Sequence, residues 1–214
     1  MTNDAKVVNS RVWLGMVAMV CAAGAYQPAL AATYCNAGVG DADVTKNAVS
    51  DGQSTSDMTY TPGSPTPATA AKDCYGVVAG QGQLGNDTEG AINSLNWGTG
   101  WQLAAKDNTD SSPDASNLVA NVQWSLTDMS NVGGGSWTLS GTGAGVPGTF
   151  DFVGVLKGSN GYAAYFFDDV YFDGSGGGSF TMSIATGNGN QIAGLSHMTI
   201  YARAGTCQTD CGGG

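Results

Sequence analysis

Aspartates in the second half of the chain are the residues best suited to binding an ion. Asp168, Asp169 and Asp173 lie close together in the sequence. Calcium takes about six to eight oxygen ligands from carboxylates and turn carbonyls, and extracellular sites for it can be weak. The three acids lack the spacing of an EF-hand loop. They are therefore either ligands of a weak calcium site or solvated acids that keep the protein soluble; no other cofactor is expected. A second group of the same kind consists of Asp107, Asp110 and Asp114.

Catalytic chemistry finds little support among the remaining residues. The chain has one histidine, His197, and the serine beside it is Ser196. Neighbours on a strand point to opposite faces, so these two side chains cannot act as a nucleophile and its base. Glycoside hydrolysis could use a pair of carboxylates beside the aromatic residues, from among Asp151, Asp168, Asp169 and Asp173. A strand-end or cation-pairing role explains Asp168 and Asp169 more simply. We expect no catalytic residues and a protein that is not an enzyme.

Four of the five cysteines follow the N-terminal apolar segment, which favours disulfides in an exported protein. Three pairings of the four are possible, and we favour Cys35 with Cys74 and Cys207 with Cys211, joining near neighbours at each end. A zinc site is the alternative. Its spacing is poor, because the chain has no second close cysteine pair and only one histidine.

The N-terminus has the layout of a secretory signal peptide. Residues 1–11 are polar and basic, residues 12–26 are apolar, and Ala29-Leu30-Ala31 offers small residues for cleavage after position 31. No later segment is apolar enough to cross a membrane, so no membrane insertion is expected after cleavage. We expect a protein that is secreted through the inner membrane and works outside the cell.

Charge excludes two classes of partner. The 214 residues carry 7 basic and 17 acidic side chains, a net charge of −10, and only 11% of residues are charged. Such a surface repels nucleic acid and anionic lipid. An apolar fraction of 42% still provides enough material for a core.

Short β-type runs separated by Gly, Asn, Asp and Ser predict an all-β fold, an antiparallel β-sandwich of jelly-roll type. The expected division is a signal peptide at 1–31, an irregular arm at 32–73, the sandwich at 74–204 and a Cys/Gly-rich tail at 205–214. Trp137 and Leu139 should share one face of a strand, and Glu89–Leu95 is the one helix candidate. Glycine clusters at 133–135, 158–161, 174–178 and 187–189 predict turns. The strand candidates are residues 74–80, 100–106, 118–126, 135–141, 150–158, 162–172, 178–185 and 196–204.

Several of these stretches, taken in order, form a recognisable set. They are residues 74–76 and 85–87 (Cys-Tyr-Gly and Gly-Asn-Asp), 101–106, 152–158, 162–167, 178–180 and 195–201 (Leu-Ser-His-Met-Thr-Ile-Tyr). The set resembles the ectodomain of bacterial PEP-CTERM surface proteins, which exosortase sorts. The resemblance covers about residues 74–204, whereas the sorting motif, membrane segment and basic cluster of that family have no counterpart after residue 204. It implies a role in the extracellular or biofilm matrix, or in the exopolysaccharide, of a Gram-negative bacterium, and it supplies no catalytic residues.

Two functions follow from these observations. The first is a secreted, non-enzymatic structural or matrix protein. Strands low in charge offer unprotected edges, so such a protein could self-assemble by strand addition. Its other expected partners are further matrix components such as polysaccharide. The alternative is an extracellular carbohydrate-binding, lectin-like module. Its sugar platforms would be exposed aromatic side chains, namely Trp97, Trp101, Tyr162 or Tyr165.

Overall fold

Two antiparallel sheets make up the fold. The computed structural model describes residues 35, 53–63, 67–79, 85–131, 133–159, 161–186 and 191–206. The strands are β1 (Thr59–Pro62), β2 (Thr69–Ala70), β3 (Asp73–Ala79), β4 (Gln102–Asn108), β5 (Ala115–Ser116), β6 (Leu118–Val119), β7 (Val122–Asn131), β8 (Gly134–Thr142), β9 (Gly148–Gly158), β10 (Gly161–Phe172), β11 (Ser175–Thr181) and β12 (Leu195–Ala204). The first sheet has the order β2-β1-β11-β8-β7-β6, and the second has the order β3-β10-β9-β12-β4-β5. This confirms the predicted all-β sandwich.

The inner faces of the two sheets pack on each other through aromatic rings. The ring of Trp124 on β7 lies 5.1 Å from Phe150, 5.4 Å from Phe152 and 4.8 Å from Phe172, measured between centroids. Because alternate residues of a strand share a face, Trp137 and Leu139 of β8 are both buried in this core, as predicted. Met198, Ile200 and Ala202 are alternate residues of β12, and they are buried there as well.

The second sheet is buried on its outer face too. Residues of β9 and β10 are buried almost without interruption, which alternation with a solvated face would not produce. The outward residues of these strands form a second apolar cluster with Ile92, Trp97 and Trp101. We call residues 85–101 the cover segment. It contains the one α-helix of the described residues, α1 (Glu89–Asn93), within the predicted helix; Thr88 caps it by accepting a hydrogen bond from the Ala91 amide at 3.2 Å. A 3-10 helix at Thr55–Asp57 precedes β1. No helix in the described ranges is long and apolar enough to span a membrane.

The sandwich begins earlier than residue 74. Part of the expected irregular arm forms β1 and β2, and β1 pairs with β11 on one side and β2 on the other. Met58 and Tyr60 are fully buried in the main core. Prolines made this stretch look irregular, but Pro62 is the last residue of β1 and so costs the sheet little.

One predicted strand is two. Residues 118–126 were expected to form a single strand, but Ala120 and Asn121 have positive φ angles of 50° and 62° and turn the chain between β6 and β7. Positive φ at both central residues is typical of a two-residue hairpin turn. The reversal puts Val119 and Val122 on the buried face, whereas continuous alternation would have placed them on opposite faces.

The glycine cluster at 174–178 lies mostly within a strand rather than a turn. Gly176 and Gly178 belong to β11. A Cβ on Gly178 would lie 1.9 Å from the Thr59 carbonyl oxygen, and one on Gly176 would lie 2.7 Å from the Tyr60 hydroxyl. These glycines therefore allow β1 to pack closely against β11.

The predicted Cys35–Cys74 disulfide is present and joins residues 39 positions apart. It ties Cys35 to the start of β3, and the Cys35 amide also donates to the Gln53 carbonyl at 2.9 Å. Cys207 and Cys211, the second expected pair, lie outside the described residues.

Replacing Cys35 and Cys74 together by alanine should lower the unfolding free energy by about 4 kcal/mol, because the unfolded chain regains the freedom that a cross-link over this separation removes. Urea unfolding in non-reducing buffer, followed by tryptophan fluorescence, measures the change as a lower midpoint. A Cys207→Ala/Cys211→Ala variant should lose much less, since its loop is far shorter. A wild-type midpoint for the first variant would contradict the assignment.

Candidate interaction surfaces

The three aspartates expected to bind calcium do not converge. Asp168 forms an ion pair with Lys72. The Asp169 carboxylate accepts a hydrogen bond from the Thr206 amide at 2.9 Å, and that of Asp173 accepts one from the Ser175 amide at 3.4 Å. Across the described ranges, no group of three or more His, Cys, Asp or Glu side chains is placed to hold a metal ion.

Two acids of the second group, Asp110 and Asp114, accept hydrogen bonds within the loop that follows β4. Asp110 accepts from the Ser112 amide at 2.8 Å, and Asp114 accepts from the Asn108 amide at 2.8 Å. The hydrogen bond from Ser112 lowers the pKa of Asp110. Both carboxylates therefore act as local turn acceptors.

The aromatic residues expected to bind sugar are inside the protein. Trp97 is 8% exposed, Trp101 1%, Tyr162 2% and Tyr165 1%. Trp97 and Trp101 belong to the cover segment and pack on Phe166 with ring centroids 5.5 and 5.8 Å away. A buried ring cannot stack on a sugar, so the lectin hypothesis was wrong about these four platforms.

His197 holds the cover segment to the second sheet. It lies on the outer face of β12, and Ser196 is exposed where the register of β12 against β9 shifts between Leu195 and His197. The His197 Nε2 is 2.8 Å from Asp87 Oδ1, and the two side chains are only 13% and 6% exposed. The contact places the histidine between a strand and the segment that covers it.

Asp87 is the residue of the cover segment to which β12 side chains hydrogen-bond. Thr199 donates its hydroxyl to Asp87 Oδ2 at 2.7 Å, and the Tyr201 hydroxyl donates to the Asp87 carbonyl. His197, Thr199 and Tyr201 are successive outward residues of one strand, so a single residue satisfies three side chains in a row. Burial alone would raise the pKa of Asp87, but the His197 and Thr199 hydrogen bonds and the charge of His197 outweigh it and lower that pKa.

Arg203, the next outward residue of β12, holds the other end of the cover segment. Its Nη1 donates to the Thr99 carbonyl at 2.9 Å, and its guanidinium lies 4.1 Å from the Trp101 ring centroid. Its Nε donates to Asp151 at 2.8 Å. Asp151, a candidate acid for glycoside hydrolysis, is 1% exposed and paired in this way.

Hydroxyl groups make up most of the outer face of the first sheet, where Leu118 of β6 is the one large hydrophobic side chain that is exposed among the described residues, at 67%. Alternate residues of its strands point to solvent, while their neighbours Trp124, Trp137 and Phe180 point into the core. None of the outward-facing residues that the structure describes here is charged. We call this surface the hydroxyl face; its eleven hydroxyl residues are Thr59, Thr61, Ser125, Thr127, Ser136, Thr138, Ser140, Thr142, Ser175, Ser179 and Thr181.

The strand register aligns these hydroxyls in rows across the sheet. Ser140 of β8 is paired with Ser125 on one side and Ser175 on the other. Thr138 is paired with Thr127 on one side and with Gly177 on the other, and Thr61 of β1 is paired with Gly177 in turn. Neighbouring strands lie about 4.8 Å apart and same-face residues about 6.7 Å apart along a strand, so the face presents donors and acceptors at regular spacings, with a gap at Gly177.

The edge of β7 is the open side of this sheet. Its partner β6 pairs only with Val122 and Gln123. Next along β7, the backbone of Trp124 points away from β8, because its amide donates to the Asn117 carbonyl at 3.1 Å and its carbonyl accepts from Ser116. The ladder with β8 continues without a shift to Asn131. Backbone groups of Leu126, Asp128 and Ser130 therefore point to the same side as those of Trp124.

From Ser125 onward, no strand of the described residues pairs with that side of β7. The other outermost strands are less suited to pairing: β2, β5 and β6 contain two residues each. The register of β3 against β10 shifts between Tyr162 and Ala164. Short or bulged edges resist strand addition, whereas a regular edge of several residues invites it.

Comparison with known proteins adds no relative: no protein-family model matches the chain, and no curated protein or solved structure matches it significantly.

Replacing Asp87 by asparagine should lower the unfolding free energy by about 1–3 kcal/mol at pH 7, since the charge-assisted contacts with His197 and Thr199 are lost. The folded-state pKa of Asp87 lies below its ordinary 3.8. The stabilisation is therefore complete above about pH 4 and disappears as pH falls through the folded-state pKa. Urea unfolding at several pH values measures the difference.

Asp168→Asn is the matched control, because the Lys72 and Asp168 side chains are 63% and 31% exposed and such a pair contributes under about 1 kcal/mol. Equal losses for the two variants, or an Asp87→Asn loss that does not shrink in acid, would contradict the role given to Asp87.

Proposed function

We propose that this chain is a secreted, non-enzymatic structural protein of a bacterial surface or extracellular matrix, and that it self-associates by adding a strand at the β7 edge. The open edge of β7 is the observation that carries the proposal. Leu126, Asp128 and Ser130 offer backbone donors and acceptors in a row, and an extended segment of another chain would satisfy them.

A second copy of this chain is the simplest partner for the edge. Two β7 strands related by a two-fold axis pair antiparallel, because the same segment then faces itself in reverse direction. Each copy contributes the backbone groups of the same three residues, which point away from β8, so both sets of groups are satisfied at once. The pairing joins two six-stranded sheets into one continuous sheet and extends the hydroxyl face across both copies.

An extracellular setting fits the chemistry of the chain. The Cys35–Cys74 disulfide persists in oxidising compartments, and cysteine pairs are rare in the reducing cytosol. The leader-like segment at 1–31 and the resemblance to PEP-CTERM ectodomains support the same location. Low charge on the strands next to the edge favours association, since few lysines oppose the approach of another strand.

The double variant Ser125→Lys/Thr127→Lys should weaken self-association roughly tenfold or more. Both side chains are exposed beside the open edge, and lysines on an edge strand are a common means by which natural sheets resist the addition of another strand. Sedimentation-velocity ultracentrifugation over a range of protein concentrations measures the association constant.

Thr138→Lys/Ser140→Lys is the control for changed net charge, because it adds the same two charges. Thr138 and Ser140 are paired with Thr127 and Ser125 but belong to β8, one strand in from the edge, so this variant should associate like the wild type. A wild-type protein that is monomeric at every concentration would overturn the proposal. Equal weakening by the edge and central lysines would also overturn it.

A further inference from the structure

We propose that the hydroxyl face binds an uncharged polysaccharide. The inference depends on the proposed extracellular role, where such polymers are met, but not on pairing at the β7 edge. It starts from the chemistry of the face: eleven Ser and Thr residues on β1, β7, β8 and β11, with no charged residue among the described outward positions.

Hydroxyl groups suit a polyol ligand because each one both donates and accepts and can rotate to match its partner. Ser125, Thr127, Ser136, Thr138, Ser140 and Thr142 are all exposed. The rows run across the strands with a step of about 4.8 Å, which is on the scale of one pyranose unit. A sugar chain lying along the row of Ser125, Ser140 and Ser175 can therefore repeat the same contact at three successive strands.

The face does not fit other classes of partner. Protein interfaces centre on aromatic and Arg anchors and are depleted in Ser, and the hydroxyl face presents neither anchor. A polyanion needs cations. The face has none in its described part, and the chain as a whole carries a net charge of −10. An extended neutral polymer of hydroxyl groups is the class that remains.

Length of the polymer supplies the affinity. A single exposed hydroxyl gains little when it exchanges water for a sugar, because both partners are already hydrogen-bonded. Several rows that engage one chain act together, since each further contact is intramolecular once the first has formed. The inference therefore predicts weak binding of short oligosaccharides and retention by long polymers.

The test compares three proteins by affinity electrophoresis in native gels that contain hydroxyethylcellulose, with alginate as the polyanionic comparison. The first variant, Thr127→Val/Thr138→Val/Thr142→Val, keeps the side-chain shape and removes three hydroxyls. The second, with Ser at the same three positions, keeps the hydroxyls. We expect wild type to be retarded by hydroxyethylcellulose and not by alginate, with no change on adding salt. The valine variant should bind at least about tenfold more weakly, and the serine variant within about threefold of wild type.

Circular dichroism and thermal unfolding establish that each variant is folded; if the valine protein aggregates, alanine at the same positions takes its place. The inference is overturned if wild type is not retarded, if the hydroxyl-free variant is retarded equally, or if alginate alone retards the protein. Ultracentrifugation of the same variants separates the two proposals. A variant that loses polysaccharide binding but still self-associates supports binding by the hydroxyl face and does not affect the proposal for the β7 edge. Self-association that is absent while retardation persists would overturn the proposed assembly alone.

Discussion

An apolar outer face on the second sheet is the constraint on which the remaining architecture depends. β9 and β10 bury residues on both sides, so one side packs on the first sheet and the other requires the cover segment. The helix in that segment has five residues, too few to be stable by itself. Its place is therefore set by side chains of β12: His197, Thr199 and Tyr201 hold Asp87 at one end, and Arg203 holds the other.

The outer face of the first sheet is exposed to solvent instead of being covered by another segment. Its outer face is solvated by hydroxyls, which need no covering segment and bring no charge. The backbone at the edge of β7 is then the longest run of this sheet's hydrogen-bonding groups that has no strand beside it in the described structure. Both proposals concern this sheet: the edge offers backbone groups to another strand, and the face offers hydroxyls to a polymer. Assembly at the edge would enlarge the face and so strengthen binding to a long chain.

Local pattern predicted the strands well because the core follows two-residue alternation, as at Trp137 and Leu139. Local pattern failed where contacts between residues distant in sequence determine the conformation or the role of a residue. The turn at Ala120–Asn121 lacks the glycine that usually announces a hairpin. Gly178 looked like a turn residue, although its lack of a side chain serves the approach of β1. The Asp87–His197 contact spans 110 residues. The sequence signal for this contact was the pair of motifs at 85–87 and 195–201. Both belong to the set that resembles PEP-CTERM ectodomains, but nothing in that set indicates that the two motifs are in contact.

Backbone amide exchange along β7 tests the central claim most directly. In dilute protein, the outward amides of Leu126, Asp128 and Ser130 should exchange much faster than the alternate amides, which are bonded to β8. At concentrations where the protein associates, the three outward amides should gain protection. Hydrogen exchange resolved to single residues by NMR measures both states. Protection of these amides in the dilute monomer, or their continued fast exchange in the associated protein, would contradict an edge that is open in one copy and paired between two.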